Sequence, residues 1–559
     1  VTATASGAST PATFALTNNA VTTSANYVFY ASGQDTGGGT GANYYAIAGA
    51  LTIDSNGNVL GGEEDYNDAF GITSPNEPTP DTISGGTLSM DPTTGLGTLT
   101  ITSSYTATGA LGVQEFAVQF VNPNHALIMQ FDGSATSSGS LDLQSATAVS
   151  APTFAFAMSG IDNTTSEYMS WDFGGVFTAS TGAGFVDVND GGTVSIGNAL
   201  TSTSGAPDTT FGRNVVTVSV PAISLVTYPV GPSVMRMIDV DVNDTAVGSA
   251  FGQGSGSFDN TSLTAGVFAE IGQWSWTFAT VGQFATDSNG NITSGIADDN
   301  ELDNGVQLLG NDITGSSYDL VSSGVNGYGS MTLTNSSAVD LNGDVTLLGV
   351  YMVDPTLNIN DPNNTTTDAT GGALIVDLSS SGVTPGGMGV ISPQTDTTST
   401  DFSGNYAAGF QNFNYFSVCG DCEFDMVGPF TMASGGALAT ASIGADDSDP
   451  FGTISGVESK GDPYGPTAPL PVVAGYFTMQ ASPLAATIDG LSGGFSVDIF
   501  QASATTLYWI NIDTNDDTVF LGTLQGQSSV VKARAAKRSA TRIQPQRKVT
   551  TSKFGTYLR

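Results

Sequence analysis

The sequence predicts an all-β protein: four tandem antiparallel β-barrel-like or β-sandwich repeats between an extended N-terminal arm and a basic C-terminal tail. Three observations carry that reading. The composition is rich in glycine and small residues and poor in charge, one hairpin motif recurs four times, and nearly all basic residues collect at one end.

Length and composition set the frame. At 559 residues the chain exceeds a single β-domain, since domains run to about 100–200 residues. The 71 glycines and an 11% charged fraction, against about 25% in ordinary soluble proteins, describe short strands joined by tight turns.

The best-preserved repeat is Gly49-Ala-Leu-Thr-Ile-Asp-Ser-Asn-Gly-Asn-Val-Leu-Gly-Gly-Glu-Glu-Asp65, which returns as Gly282-Gln-Phe-Ala-Thr-Asp-Ser-Asn-Gly-Asn-Ile-Thr-Ser-Gly-Ile-Ala-Asp298. Looser copies span Gly175 to Asp190 and Gly428 to Asp447. Each reads as two alternating strands around an Asn-Gly or Gly-rich turn, the signal of a type I′ hairpin. An aromatic strand precedes each copy, as in Asn26-Tyr-Val-Phe-Tyr30 and Thr153-Phe-Ala-Phe156. The first unit then holds about eight strands in successive hairpins, the pattern of an up-and-down barrel or a two-sheet sandwich. The barrel is preferred, because closure removes the edges that aggregate.

These signals divide the chain into an N-terminal arm (1–25), four repeats (26–148, 149–262, 263–398 and 399–527) and a tail (528–559). Loops such as Pro75–Pro80, Asp361–Thr367 and Lys460–Pro466 differ between copies, and divergent loops on a repeated scaffold are where binding specificity is expected.

Catalytic chemistry finds little to work with. The single histidine, His125, lies in an expected strand, so serine-triad and histidine-metal chemistry lack their central group. Glu63, Glu64 and Asp65 adjoin, but related acids recur at the matching hairpin ends (Asp187, Asp190, Asp298, Asp299, Asp446 and Asp447). Acids repeated with the scaffold read as scaffold or surface, not as a glycosidase pair. No enzyme is expected.

Cys419-Gly-Asp-Cys422 lacks a second ligand pair for zinc and a following histidine for haem attachment, leaving a short-loop disulfide as the expectation for an exported chain. No cofactor is required by the sequence. Structural calcium is the one carried forward, because Asp239, Asp241, Asn243 and Asp244, and Asp513, Asn515, Asp516 and Asp517, cluster hard oxygen ligands.

Net charge is −39, yet Lys532, Arg534, Lys537, Arg538, Arg542, Arg547, Lys548, Lys553 and Arg559 fall in the last 28 positions, leaving −48 for residues 1–531. There only Arg213, Arg236 and Lys460 are basic. An acidic body with a basic tail favours head-to-tail association between copies. Strand addition by the arm, through Phe14 and Leu16, and by the tail, through Phe554 and Tyr557, offers a means. The chain opens on Val1 with no charged n-region, so a removed signal peptide is expected, and no apolar run is long enough to span a bilayer.

The Gly404-Asn-Tyr406 strand opening and the Gly-x-Phe-x-x-Asp-x-Asn-Gly-Asn-Ile-Thr-x-Gly hairpin at Gly282–Gly295 resemble a repeat of secreted surface proteins of environmental bacteria. The resemblance covers most of residues 26–527 and implies an extracellular or cell-surface location. The function expected from all of this is a homo-oligomeric subunit of an extracellular filament, sheath or surface layer, with no nucleic-acid partner. The alternative is an adhesin or carbohydrate-binding protein held to envelope polymer by its tail, with Trp171, Trp274, Trp276 and Trp509 as sugar-stacking candidates.

Overall fold

The computed structural model describes residues 2–3, 12–13, 24–35, 43–68, 79–104, 112–131, 135–164, 169–272, 277–301, 306–334, 346–364, 370–379, 386–397, 403–416, 420–432, 438–441, 444–447, 470–473, 476–481, 495–512 and 518–527. Every regular element among them is a β-strand.

The repeated hairpin forms for a reason local to its five-residue loop. Asp54 Oδ1 accepts from the N–H groups of Asn56 and Asn58 at 2.7 and 2.9 Å, while Asn58 Nδ2 donates to Asp54 Oδ2 at 2.8 Å. Asp287, Asn289 and Asn291 repeat the arrangement at 2.8, 3.0 and 2.9 Å. The turn differs from the type I′ expectation. Its closing bond runs from Gly57 N–H to the Asp54 carbonyl, 2.9 Å, one position earlier than a turn centred on Asn-Gly. The aspartate carboxylate captures the loop amides, and Gly57 and Gly290, at φ 84° and 85°, follow the turn in the left-handed region that glycine adopts without strain.

Eight strands make the first barrel: Ser24–Asp35, Asn43–Asp54, Asn58–Asp68, Asp81–Met90, Leu96–Ser103, Gly112–Asn122, His125–Phe131 and Ala135–Leu143. Each pairs with the next, and the last returns to the first with Leu141 opposite Phe29. The second barrel repeats this meander with Thr153–Asp162, Met169–Thr178, Ala183–Asp190, Thr193–Ser204, Asn214–Ser219, Ala222–Gly231, Val234–Asp239 and Asp244–Gly252, closing with Phe156 opposite Ala250. The barrel alternative is therefore the observed one.

A nine-stranded sheet forms the third unit, running from Ala265–Gly272 to Met388–Pro393 in the chain. Its edge strands, Val306–Asp312 and Ser317–Asp319, are neighbours in sequence. Tyr318 N–H meets the Gly290 carbonyl at 2.8 Å and Ile292 N–H the Ser316 carbonyl at 2.9 Å, which ties the Ser317–Asp319 edge to the start of Ile292–Glu301, the strand beside the other edge. The fourth unit, from Gly404–Phe416 to Thr518–Gly526, is a sheet with the same first-to-last pairing, Phe410 opposite Gly522. In the N-terminal arm Thr2–Ala3 pairs with Ala12–Thr13.

Period-two alternation gives each strand two faces, and many strands bury both. In Asn43–Asp54, Tyr45, Ile47, Leu51 and Ile53 fill the first barrel, whereas Ala46, Ala48 and Ala50 point outward into a second buried cluster shared with the next barrels. Likewise Phe154, Phe156 and Met158 lie inside the second barrel, with Ala155 and Ala157 outside. Small outward residues let two barrel walls approach.

The four units pack around a common axis. The opening strands of each unit lie against the closing strands of the next: first on second, second on third, third on fourth, and fourth back on first. Ala279 and Val281 meet Tyr508 and Ile510 in one seam, and Ala407 and Val427 meet Leu127 and Met129 in another. A strut spans two units that are not consecutive. Asn122 Nδ2 donates to Asp361 Oδ2 at 2.6 Å, and Asn363 Nδ2 to the Asn124 carbonyl at 3.0 Å. Asp361 is thus buried, and the loop it opens is not wholly displayed as the sequence suggested.

Candidate functional site

An Asp-x-Asn pair ends the third strand in three units: Asp65 and Asn67, Asp187 and Asn189, Asp298 and Asn300. Each asparagine crosses a seam to the end of the next unit's penultimate strand, where a carbonyl leaves its ladder and needs a donor. Asn67 Nδ2 donates to the carbonyls of Asp239, Asp241 and Asp244 at 3.0, 3.0 and 2.8 Å. Asn189 Nδ2 reaches the Asp377 carbonyl at 2.9 Å and Asn300 Nδ2 the Asn511 carbonyl at 3.0 Å. The sequence reading noticed the recurring acids and overlooked the asparagines, although the Asp-x-Asn spacing was visible in all three copies.

Asp65, Asp187, Asp298 and Asp299 are buried, which corrects the surface half of the expectation for them, whereas Asp190 is exposed and the side chains of Asp446 and Asp447 lie outside the described residues. Asp65 accepts from Tyr228 Oη at 2.5 Å and from Arg213 Nε at 2.8 Å, with Arg213 Nη2 on its other oxygen. Asp187 accepts from Tyr351 Oη at 2.8 Å and also from Tyr328 Oη. Glu63 and Glu64 lie on opposite faces of one strand. Glu64 points inward to Ser103 and Gln114, and burial pushes it up to about 8. Two carboxylates on opposite faces do not flank one glycosidic bond.

The body's two described cations meet in the seam between first and second barrels. Arg236 Nη2 lies 2.6 Å from Asp142 Oδ2, its Nη1 donates to Ser249 Oγ at 2.6 Å, and its guanidinium stands 4.4 Å over the Tyr30 ring. Asp142 Oδ1 also meets His125 Nδ1 at 2.7 Å, so the histidine is part of a buried structural network. Elsewhere the seams hold acids against neutral partners. Asp425 accepts from Thr136 Oγ1 at 3.0 Å, and Asp172 from Ser170 Oγ at 3.1 Å. Burial pushes them up to about 8 and about 7.

In the first expected calcium cluster, one carboxylate oxygen each of Asp239 and Asp241 is taken by backbone N–H groups. Asp239 Oδ1 accepts from Asp241 N–H at 2.9 Å, and Asp241 Oδ2 from Ser224 N–H at 2.5 Å. Asn243 and Asp244 stand at the start of the following strand. Among the described residues no group of three or more His, Cys, Asp or Glu is placed to hold a metal ion. Asp513, Asn515, Asp516 and Asp517 lie outside the described residues, as do Cys419, the Cys422 side chain, Phe14, Leu16, Trp274, Trp276 and the whole basic tail, with Lys532, Phe554, Tyr557 and Arg559 among its residues. Trp171 is buried in the second barrel and Trp509 is buried against Phe410 and Phe430 of the fourth unit, which removes both as sugar-stacking surfaces.

The second barrel holds a cavity of about 150 Å³. Its floor is Phe154, Phe156, Phe173, Leu225, Met235 and Met237, and Ser202, Ser204, Asn214 and Thr227 line its polar side. Strands Thr193–Ser204 and Asn214–Ser219 pair through Ser202–Ser204 and Val216–Val218, and Ser202, Ser204, Val216 and Val218 of that paired stretch line the cavity. No charged side chain lines it.

Among the described residues no helix is long and apolar enough to cross a membrane. No family model matches the sequence, and no curated protein matches it. Among solved structures, a double mutant of transferrin binding protein B from Haemophilus parasuis Hp5 aligns with 72% of this chain and 83% of its own at 10% identity, with a TM-score of 0.18. Intact Ap-TbpB, comprising N and C lobes, aligns with 73% of this chain and 85% of its own at 10% identity, with a TM-score of 0.16. At this level of superposition neither residues nor activity transfer to this chain.

Proposed function

We propose that the chain is a non-catalytic binding protein of the cell exterior, a ring of four β units, two of them closed barrels, that displays its divergent loops to a glycan or cell-envelope polymer. The closure of head-to-tail packing within one chain carries this reading. A heterologous interface either closes into a ring or propagates as a filament. Here the fourth unit packs back on the first, with Glu423 N–H on Gln34 Oε1 at 2.9 Å and Gln527 Nε2 on the Phe120 carbonyl at 2.7 Å. The unit-to-unit surfaces are satisfied within one chain, so they do not themselves propagate a filament. Asp65 and Asp187 support a non-catalytic role, because each is engaged by side chains of the next unit across a seam.

A filament subunit is the second reading, favoured by the charge asymmetry between the body and the last 28 residues. Electron microscopy of the full chain and of a version ending at Gln527, at low and high salt, decides between them. Discrete single-ring particles from both, together with retention of the full chain on envelope polymer or a glycan array, are expected. Regular polymers formed by the full chain alone would overturn the proposal and restore the filament.

A further inference from the structure

We propose that the second barrel takes the alkyl end of a small uncharged amphiphile, a chain of about six carbons whose neutral head stays in water at the barrel mouth. This goes beyond the display role and does not depend on it.

The lining runs from core to surface along two paired strands. Leu200, Ser202 and Ser204 share one face of Thr193–Ser204, because side chains alternate. Along that face the residues pass from buried through half-buried to exposed. The neighbouring strand repeats the gradient, with Val218 buried and Val216 and Asn214 half-buried. At the deep end Phe156, Phe173 and Met237 are buried, and Ala179, which also lines the space, is exposed. A guest that follows this path has an apolar end inside and a polar end outside.

Size and lining set its chemistry. At about 150 Å³ the cavity matches the volume at which an apolar protein cavity accepts benzene, which limits the inserted part to about six carbons. Phe154 and Phe177 stack with centroids 5.4 Å apart, and Phe156 stands edge-on to Phe177 at 5.8 Å and to Phe173 at 6.4 Å. The rings meet one another's preference for stacked and edge-on contact, so what they offer a guest is apolar burial. Met235 and Met237 add flexible thioethers that adapt to a chain. The hydroxyls make no demand on it, since Ser204 Oγ donates to the Gly205 carbonyl at 3.2 Å and Ser202 Oγ to the Gly182 carbonyl at 3.3 Å. No lining residue is charged, so a carboxylate drawn in would lose water without gaining a partner.

Titration calorimetry of the full chain with 1-butanol, 1-pentanol, 1-hexanol, 1-octanol, hexanoate and toluene at about pH 7 tests the assignment. Saturable binding of one alkanol per chain is expected. Affinity rises about fourfold per methylene up to about six carbons and then levels off, because further carbons stay in water. Hexanoate is expected to bind at least about tenfold more weakly than hexanol. Leu200→Trp is expected to abolish alkanol binding by filling the space. No binding at millimolar hexanol would show a packing void and overturn the site. Affinity that keeps climbing through octanol would mean partition onto the surface, and toluene bound without any alkanol would overturn the alkyl class. Hexanoate bound as tightly as hexanol would overturn the neutral head. These readouts come from the unaltered chain, so they stand even where the variant fails to fold.

Discussion

Arg236 of the second barrel reaches across the seam to Asp142 of the first, 94 positions away, placing Nη2 2.6 Å from Oδ2 with both side chains buried. Asp142 is shared with His125, so one carboxylate joins two strands of the first barrel to a strand of the second. Removing one partner of such a pair strands a buried charge, at a cost of about 3–5 kcal/mol. Arg236→Met is expected to lower stability by about that much in urea unfolding. A loss below about 1 kcal/mol would mean that the pair is solvated and contributes as surface pairs do.

Acids buried without a cation set the pH response. Burial raises Glu64 and Asp425 to about 8, and Asp172 and Asp244 to about 7, from ordinary values of 4.5 for glutamate and 3.8 for aspartate. Between those ordinary values and the folded ones, the native state holds more protons than the unfolded state, so stability falls as pH rises. His125 adds to the same trend. Burial lowers it, but Asp361 and Asp142 outweigh burial and raise it, so its contribution is complete below 6.5 and is lost as pH rises through its folded value. Burial raises Asp142, but Arg236 and His125 outweigh that and hold it well below the usual range, so its contribution is lost only below 3.8. The urea midpoint is expected to be higher at pH 5 than at pH 8, and the reverse order would refute this account.

Gly174 sits where the second barrel touches the third unit. A Cβ there would lie 2.4 Å from Tyr351 Cε2 and 2.9 Å from Val376 Cγ2. Gly174→Ala is expected to cost about 1–3 kcal/mol by overpacking. Gly315→Ala, at φ 93° with nothing within 4 Å, is expected to cost about 1 kcal/mol from backbone strain alone. Thermal unfolding of the two variants measures the difference, and equal losses would show that the seam yields.

The seam asparagines differ in how much they hold. Asn67 serves three carbonyls and Asn189 one. With each unmatched buried group costing about 1–3 kcal/mol, Asn67→Ala is expected to destabilise more than Asn189→Ala. Hydrogen exchange at the ends of Val234–Asp239 and Gly372–Asp377 would localise each loss. Exchange that quickens throughout the chain, and not at these strand ends, would count against seam-specific roles.

Much of the fold was legible in the residues. Alternation and the Asp-Ser-Asn-Gly-Asn loops marked the hairpins, because strand pairing and loop capture act over a few residues, and successive hairpins implied a meander. The turn itself was misread by one position, because the Asp54 and Asp287 carboxylates override the preference of the Asn-Gly dipeptide. The recurring Asp65, Asp187 and Asp298 were legible as scaffold or surface, and only the fold decided for scaffold. An acid beside a turn usually faces water, and nothing local distinguishes one that faces another barrel.

By itself, the sequence determined the secondary structure, the repetition and the scarcity of catalytic groups, all of which follow from residue type and short-range spacing. Only the tertiary structure decided what covers the outer faces of the strands. Period two separates Tyr45 and Ile47 from Ala46 and Ala48, but it does not say that the alanine face meets another barrel wall. Arg213 finds Asp65 across 148 positions, and the second barrel leaves space among its phenylalanines, for a shared physical reason. Each depends on how closed sheets of fixed curvature stack, and that geometry is a property of the whole chain.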